Sequence, residues 1–193
     1  MTYRLLLPAV FFGLVACGSP DAADSSAEAT PAVAPASAPA ALTQPWSVAT
    51  GHYIALKDAL VASDWPAAEA AANDLEAAVA GADIGAMGDF HQPWMDYAVP
   101  LQRAAKEVAI SGNLEDAREA FAELTPAMVA AVRGLRGNGE GAPLPSGGHK
   151  LYVQHCPMAF DNAGADWVSD EAQIRNPYFG DAMLTCGKVT EEL

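Results

Sequence analysis

Positive charge is scarce in this chain of 193 residues, which has 10 lysine and arginine residues, 24 aspartate and glutamate residues and a net charge of −14. This imbalance argues against nucleic acid and anionic lipid surfaces as partners, because both repel an acidic protein. An acidic surface raises the local concentration of cations. It also keeps an exported domain soluble, and solubility alone would explain the charge.

Long apolar runs and familiar catalytic motifs are missing as well. The apolar run from Leu5 to Val15 is too short to span a bilayer, which takes about 20 residues. The chain has no internal repeat, no glycine-rich nucleotide-binding motif, no HExxH zinc motif and no serine in a nucleophile elbow. We therefore expect no transmembrane helix and no enzyme, since no acid, base and nucleophile form a recognisable set.

Residues 1–17 are typical of a lipoprotein signal. Arg4 precedes the apolar run, and the small residues before Cys17 resemble a bacterial lipobox. This resemblance implies cleavage before Cys17 and attachment of lipid to it, and Gly18 at the next position favours the outer membrane. We expect a lipid-anchored protein of the cell envelope that faces the periplasm. The alternative is an ordinary signal peptide with a cysteine near its cleavage site.

The segment 18–45 is rich in proline and alanine and almost devoid of large apolar side chains. Such a composition cannot bury enough surface to offset the entropy lost on ordering, which predicts a disordered tether. The folded domain is expected over 46–193, with a helical bundle over 46–140 and a sulfur-rich lobe over 149–193.

Apolar residues recur at three and four positions through the bundle segment, which predicts a mainly α fold, a four-helix antiparallel bundle joined by short turns. Asp64 is expected to cap the second helix, and Gly81 to end it. Asn113 with Asp116 resembles a capping pair for the fourth helix. In the lobe, which we expect to be irregular, residues 151–153 are predicted to be extended and residues 167–174 to form one or two helical turns.

Two of the three cysteines and two of the six methionines lie within the last 40 or so residues. Pro157 is expected to hold Cys156 in an extended conformation, so that Cys156 and Met158 point to the same side. Met183 and Cys186 are three residues apart and would share one face of a last helical turn. The sequence therefore predicts two pairs of sulfur atoms, one on each arm of the lobe.

These four sulfur side chains admit three interpretations. In an oxidising compartment, a disulfide between Cys156 and Cys186 would explain both cysteines, and composition and spacing alone favour it. Thiolate and thioether sulfurs are also the ligands that select Cu(I), which predicts a site for Cu(I) or Ag(I) with His155 or His149 as an additional ligand. A redox-active pair lacks the CxxC arrangement that lowers a thiol pKa.

The C-terminal residues resemble a bacterial family that is labelled a domain of unknown function. The shared pattern comprises Tyr152, Cys156, Pro157, Met158, Ala159, Asn162, Gly164, Ala165, Trp167, Ser169, Ile174, Asn176, Pro177, Tyr178, Phe179, Gly180, Met183, Leu184, Cys186 and Gly187. Residues 53–61 and Ala71 agree more loosely. Members of this family occur as envelope lipoproteins and fused to periplasmic adaptor subunits of copper/silver efflux pumps.

The resemblance implies a helical periplasmic domain that binds copper or a related soft metal, and it shifts the preference from the disulfide to the metal site. Two functions remain open. One is a lipid-anchored Cu(I)/Ag(I)-binding accessory protein that serves metal efflux or homeostasis, with a heavy-metal efflux adaptor or another envelope protein as partner. The other is a structural or interaction lipoprotein stapled by Cys156 and Cys186. Glu119 and Glu123 are expected on a solvated acidic face rather than in a catalytic site.

Overall fold

The computed structural model describes residues 40–136 and 150–193. In this part of the chain four long helices follow one another: α1 (Ala40–Val61), α2 (Trp65–Ala80), α3 (His91–Ala109) and α4 (Leu114–Arg136). Each helix packs against the next along the chain. The prediction of a mainly α fold with a helical bundle is confirmed. None of the helices in the described ranges combines the length and the hydropathy needed to span a lipid bilayer.

The helix boundaries follow the capping signals in the sequence. The Asp64 carboxylate accepts a hydrogen bond from the backbone N–H of Ala67 at 3.1 Å, and α2 ends before Gly81. The Asn113 side-chain oxygen accepts hydrogen bonds from the backbone N–H groups of Glu115 and Asp116 at the start of α4, each at 3.0 Å. Both predicted caps are therefore present, and each satisfies N–H groups that a helix start leaves without an intrahelical partner.

The start of the folded region differs from the prediction. Helix α1 begins at Ala40, inside the segment 18–45 that the sequence assigns to a tether, and continues through Pro45. Leu42 and Trp46 are both buried in the core. Trp46 packs against Trp94 of α3 with ring centroids 4.8 Å apart. Burial of these side chains supplies the apolar contact that extends the helix upstream. The rest of the tether and the lipoprotein signal, including Cys17, lie outside the described residues.

The lobe contains a three-stranded antiparallel sheet, with strands β1 (Tyr152–Cys156), β2 (Ala165–Ser169) and β3 (Lys188–Glu192) in the order β2-β1-β3. The expected extended segment is strand β1. The prediction of helical turns over 167–174 is wrong, because Trp167 to Ser169 pair with β1 and residues 170–174 form no helix. All three of those residues are buried, so the alternation of exposed and buried positions that identifies a half-exposed strand is missing.

Strand β2 lies against α1 and α4 and connects the sheet to the bundle. The hydroxyl of Tyr53 in α1 is 2.8 Å from the Thr125 hydroxyl in α4, and it accepts a hydrogen bond from the backbone N–H of Val168 in β2 at 3.2 Å. The Arg118 guanidinium in α4 donates to the carbonyl oxygens of Leu60 and Pro177 at 3.0 and 2.8 Å. The sheet is therefore tied to both helices by buried and half-buried hydrogen bonds.

Lys57 is a second link between α1 and β2. Its side chain is almost completely buried, and its ammonium group lies 3.0 Å from a carboxylate oxygen of Asp58 and 3.7 Å from one of Asp170. The Ser169 hydroxyl is 3.5 Å away. A buried lysine is tolerated only with such partners, because the cost of removing a charge from water must be offset. This contact fixes the C-terminal end of β2 on the bundle.

Candidate metal site

Strand pairing brings Cys156 and Cys186 together. Cys156 is the last residue of β1, and Cys186 stands just before β3. Because β1 and β3 run antiparallel and His155 pairs with Lys188, the end of one strand lies beside the start of the other. The two sulfur atoms are 3.4 Å apart, and both cysteines are free thiols. The predicted proximity of these two cysteines, which both the disulfide and the metal interpretation require, is present.

Asn176 and Gly187 position Cys186. The buried side chain of Asn176 donates a hydrogen bond to the Cys186 carbonyl oxygen at 2.9 Å, and its backbone N–H donates to the Leu184 carbonyl oxygen at 2.8 Å. Gly187 has a φ of +142°, and a Cβ there would lie 2.8 Å from the His155 carbonyl oxygen and 2.9 Å from the Trp167 ring. Only glycine fits that close approach, so β3 can pass directly against the end of β1.

The two thiols differ in accessibility. Cys156 is completely buried, whereas Cys186 is half-buried and lines a shallow groove of about 320 Å³ together with His155, Pro157, Gly187 and Lys188. The hydrogen bond with the Cys156 thiol raises the pKa of the Cys186 thiol, and loss of hydration adds to the rise. A metal or an oxidant that arrives from the groove would meet the Cys186 sulfur first.

The separation of the sulfurs is compatible with a bridging metal ion. Two metal–thiolate bonds of about 2.3 Å place the sulfurs roughly 3.8 Å apart at a tetrahedral angle, and about 4.6 Å apart in a linear arrangement. A disulfide needs a sulfur separation of about 2.05 Å. From 3.4 Å, the tetrahedral geometry requires a change of a few tenths of an ångström, and the disulfide requires an approach of more than 1 Å.

The structure places the two methionines differently. Strand β1 ends at Cys156, and Met158 has φ −100° and ψ −7°, values that match the third position of a type I turn with Pro157 at the second. The extended conformation expected through Met158 is therefore wrong. Its side chain is 47% exposed, whereas Cys156 is fully buried. The two sulfur side chains of this arm do not share one environment.

Met183 lies close to Cys186 through a turn rather than a helix. The helical turn expected to carry both residues ends at Ala182, and the backbone N–H of Cys186 donates to the Met183 carbonyl oxygen at 3.0 Å. This hydrogen bond closes a four-residue turn, which brings its two ends within about 7 Å. A spacing of three residues suits both a helical turn and a β-turn. Met183 is half-buried and is the better placed of the two thioethers.

His155 is engaged by a carboxylate. Its Nδ1 is 2.7 Å from a carboxylate oxygen of Asp166 on β2, and the ring lies over Gly164, where a Cβ would be 2.9 Å from the His155 Cε1. Consecutive residues of a strand point to opposite faces, so the His155 and Cys156 side chains diverge. A carboxylate partner on one ring nitrogen is common for metal-ligating histidines. His149, the other candidate imidazole, lies outside the described residues.

In the described ranges, no group of three or more histidine, cysteine, aspartate and glutamate side chains is arranged to hold a metal ion. The candidate site therefore consists of two thiols, with Met183 at the other end of the turn that leads to Cys186. The sequence did not predict two features of the site, the Asp166 carboxylate beside His155 and the Asn176 side chain that holds the Cys186 turn. Asn176 is followed by proline, which indicates the end of a helix, but no local signal in the sequence shows that the Asn176 side chain is buried.

No curated protein and no solved structure is significantly similar to the chain. A family described as "Protein of unknown function (DUF3347)" has a model that matches residues 49–138. The match covers most of α1 and all of α2, α3 and α4, and it ends before the C-terminal residues on which the resemblance noted above rests. The helical part of this chain is thus similar to a domain of unknown function.

Proposed function

We propose that this protein is a lipid-anchored accessory protein of the cell envelope that binds Cu(I), and Ag(I) as its mimic, through Cys156 and Cys186. The observation that carries the proposal is the pair of free thiols 3.4 Å apart at the edge of an open groove. Two thiolates neutralise the charge of a Cu(I) ion and match its preference for soft sulfur ligands. Such a site requires both thiols in the reduced state.

Met183 is the first candidate for a third ligand, because its turn ends at Cys186. Met158 is a second candidate. It would have to fold back from an exposed turn, and it is therefore expected to contribute less. His155 would have to turn from Asp166 to reach the ion. Thioethers add selectivity for Cu(I) over Zn(II), because zinc prefers thiolate, imidazole and carboxylate.

The lipid anchor, the outer-membrane location and a copper/silver efflux adaptor as partner belong to the same proposal. They rest on the lipobox-like residues before Cys17 and on the resemblance of the C-terminal region to an envelope family. The matched family model adds a domain of unknown function and is compatible with an accessory role. We place the protein among binding proteins rather than enzymes.

The alternative is a structural or interaction lipoprotein in which Cys156 and Cys186 form a disulfide. The same proximity of the sulfurs favours it, because they are 3.4 Å apart and a disulfide needs about 2.05 Å. The envelope outside the inner membrane is oxidising. A disulfide would remove both thiolates, so the two functions exclude each other in any one molecule.

Competition titration against a Cu(I) chelator tests the metal site. The protein is the full chain with Cys17→Ser to avoid lipid attachment, reduced and kept free of oxygen. We expect Cys156→Ser or Cys186→Ser to lower the affinity far more than Met183→Leu. Met183→Leu in turn should lower it more than Met95→Leu, a matched change on α3. Affinity should fall with falling pH, because both thiols must lose a proton to bind the ion. Because the pKa of Cys186 is raised, this loss of affinity should begin at a higher pH than for an ordinary pair of thiols.

A count of free thiols on protein isolated from the periplasm separates the two functions. Two free thiols that copper protects from alkylation support the metal site. The disulfide is supported if neither thiol reacts with the alkylating agent and if neither added copper nor a mild reductant changes this result. If the double variant Cys156→Ser, Cys186→Ser binds Cu(I) as tightly as its parent, the site is misplaced.

A further inference from the structure

A long open groove runs along α4 where this helix borders part of the lobe. Its volume is about 960 Å³, and residues of α4 form one wall while β1, the left-handed turn at 160–162 and β2 form the other. This volume is at the upper end of the range for small-molecule pockets, and the groove is open along its length. A site of this shape fits an elongated segment better than an enclosed small ligand.

The floor of the groove is apolar. Val129 of α4, Val153 of β1 and Phe160 of the left-handed turn line it, with several alanines between them. Phe160 has a φ of 51°, and its ring packs edge-on against Tyr178 with centroids 5.3 Å apart. A left-handed conformation costs about 1–2 kcal/mol for a residue with a side chain, so packing must hold the ring in the wall.

The rim of the groove is acidic. Asp116, Glu119 and Glu123 follow one another at three and four residues along α4, so their carboxylates share the face that borders the groove. Asp166 stands on the opposite wall, where its carboxylate contacts the His155 ring, so the unpaired part of the rim lies on α4. In the part of the chain that the structure describes, neither Glu119 nor Glu123 pairs with a lysine or an arginine. Like charges four residues apart on a helix are destabilising.

The cation that lines the groove is neutralised within the protein. Arg133 forms an ion pair with Glu191 of β3 through two contacts. One joins its Nη2 to a carboxylate oxygen, and the other is a hydrogen bond of 3.2 Å from its Nε to the second carboxylate oxygen. The groove thus presents exposed negative charge above an apolar floor. The complementary occupant carries positive charge on one side and apolar side chains on the other.

We propose that this groove docks a basic amphipathic segment of a partner protein. Lysine or arginine side chains of the partner pair with the acidic rim, and its apolar side chains lie on Val129, Val153 and Phe160. Helix-in-groove recognition of this kind uses apolar anchors three and four residues apart. The acidic net charge of the whole chain would speed the approach of such a partner. Docking does not depend on a metal ion.

The first test uses the full chain with Cys17→Ser, in the absence of metal, and a fluorescein-labelled helical peptide of leucine and lysine. We expect binding by fluorescence anisotropy, and we expect Glu119→Gln with Glu123→Gln to weaken it about tenfold. The control, Glu69→Gln with Glu107→Gln, removes the same charge from exposed positions on α2 and α3. It should leave binding unchanged within about twofold.

The second test blocks the groove without changing charge. Ala130→Trp places a bulky ring on the exposed α4 wall and should abolish binding, whereas Ala130→Ser should not. Ala70→Trp, at an exposed position of α2, is the matched control and should bind as the parent does. Circular dichroism of each variant confirms that it is folded.

Three outcomes would overturn the proposal. One is equal weakening by the two glutamate pairs, which would indicate attraction to net charge alone. Another is unchanged binding to the folded Ala130→Trp variant, which would place the peptide elsewhere. The third is equally tight binding of a lysine peptide without leucines, which would leave the apolar floor without a role. Because these binding measurements contain no metal, a failure of peptide docking leaves the Cu(I) proposal untouched. A failure of Cu(I) binding likewise leaves the docking proposal untouched.

Discussion

Replacing Tyr53 by phenylalanine removes a single hydroxyl group at the point where α1, α4 and β2 meet. Tyr53 is completely buried, and its hydroxyl has two partners, the Thr125 hydroxyl at 2.8 Å and the Val168 backbone N–H at 3.2 Å. Burial also raises the pKa of Tyr53 far above its usual range, so the group stays neutral at any ordinary pH.

The cost of the change follows from the partners that remain. Thr125 keeps a second hydrogen bond, because its hydroxyl donates to the Phe121 carbonyl oxygen at 3.1 Å. The Val168 N–H keeps none, and Val168 is completely buried. An unsatisfied buried donor costs about 1–3 kcal/mol. We expect Tyr53→Phe to lower the free energy of unfolding by about 2 kcal/mol, or Tm by about 5 °C for a domain of this size.

Urea unfolding measures the loss, and Tyr152→Phe is the matched control. Tyr152 is half-exposed on β1, so removal of its hydroxyl should change stability by less than about 0.5 kcal/mol. Hydrogen exchange gives a local readout, since the Val168 amide should exchange faster in Tyr53→Phe. If both variants unfold like the parent and the Val168 amide stays protected, the hydroxyl does not join the sheet to the bundle.

Two further predictions concern the lobe. Gly164 has a φ of +80°, and a Cβ there would lie 2.9 Å from His155, so Gly164→Ala should lower the free energy of unfolding by about 1–2 kcal/mol. The control Gly51→Ala, at a helical position with open space around it, should raise the free energy of unfolding by about 0.5–1 kcal/mol. If urea unfolding shows that both substitutions stabilise or that both destabilise the protein, the argument is contradicted. The rate of Cys186 alkylation in reduced protein should rise with pH along a curve shifted above that of an ordinary cysteine, and Cys156→Ala should move the curve down. Because the folded protein favours the protonated Cys186 thiol, this thiol stabilises the fold at pH values below its pKa in the unfolded chain. That stabilisation is lost as the pH rises through the pKa of the folded protein. An alkylation curve that matches an ordinary cysteine would contradict the expectation.

The helices could be predicted because their signals are local. Asp64 and Gly81 mark the two ends of α2, and Asn113 marks the start of α4, each through hydrogen bonds made within a few residues. The apolar spacing then indicates which face is buried. The start of α1 was missed because proline and alanine between 31 and 45 suggest a tether. Packing of Trp46 on Trp94, a contact between distant residues, extends the helix instead.

The lobe was predicted less well because its structure depends on distant partners. Trp167 and Val168 belong to a strand only because β1 lies beside them, and the bundle buries them as well. Cys156 and Cys186 were expected to be neighbours from chemistry, and antiparallel pairing of β1 and β3 brings them there. The turn at Met158 could have been predicted, since proline is favoured at the second position of a type I turn. The preference of the residue before proline for an extended conformation concerns Cys156 alone and does not extend to Met158.

The match to a family model ends before the thiols, yet the matched helices contain the side chains that hold the lobe. Tyr53, Lys57 and Arg118 all lie within residues 49–138, and each makes a hydrogen bond or an ion pair that reaches the sheet or its flanking loops. A bundle that needed only its own core would gain little from a buried lysine, because an apolar side chain there would serve stability as well or better. These polar side chains therefore make sense only if the lobe is part of the same folding unit. A sheet of three short strands is marginally stable alone, so the distance between the Cys156 and Cys186 sulfurs depends on a bundle that itself contains neither.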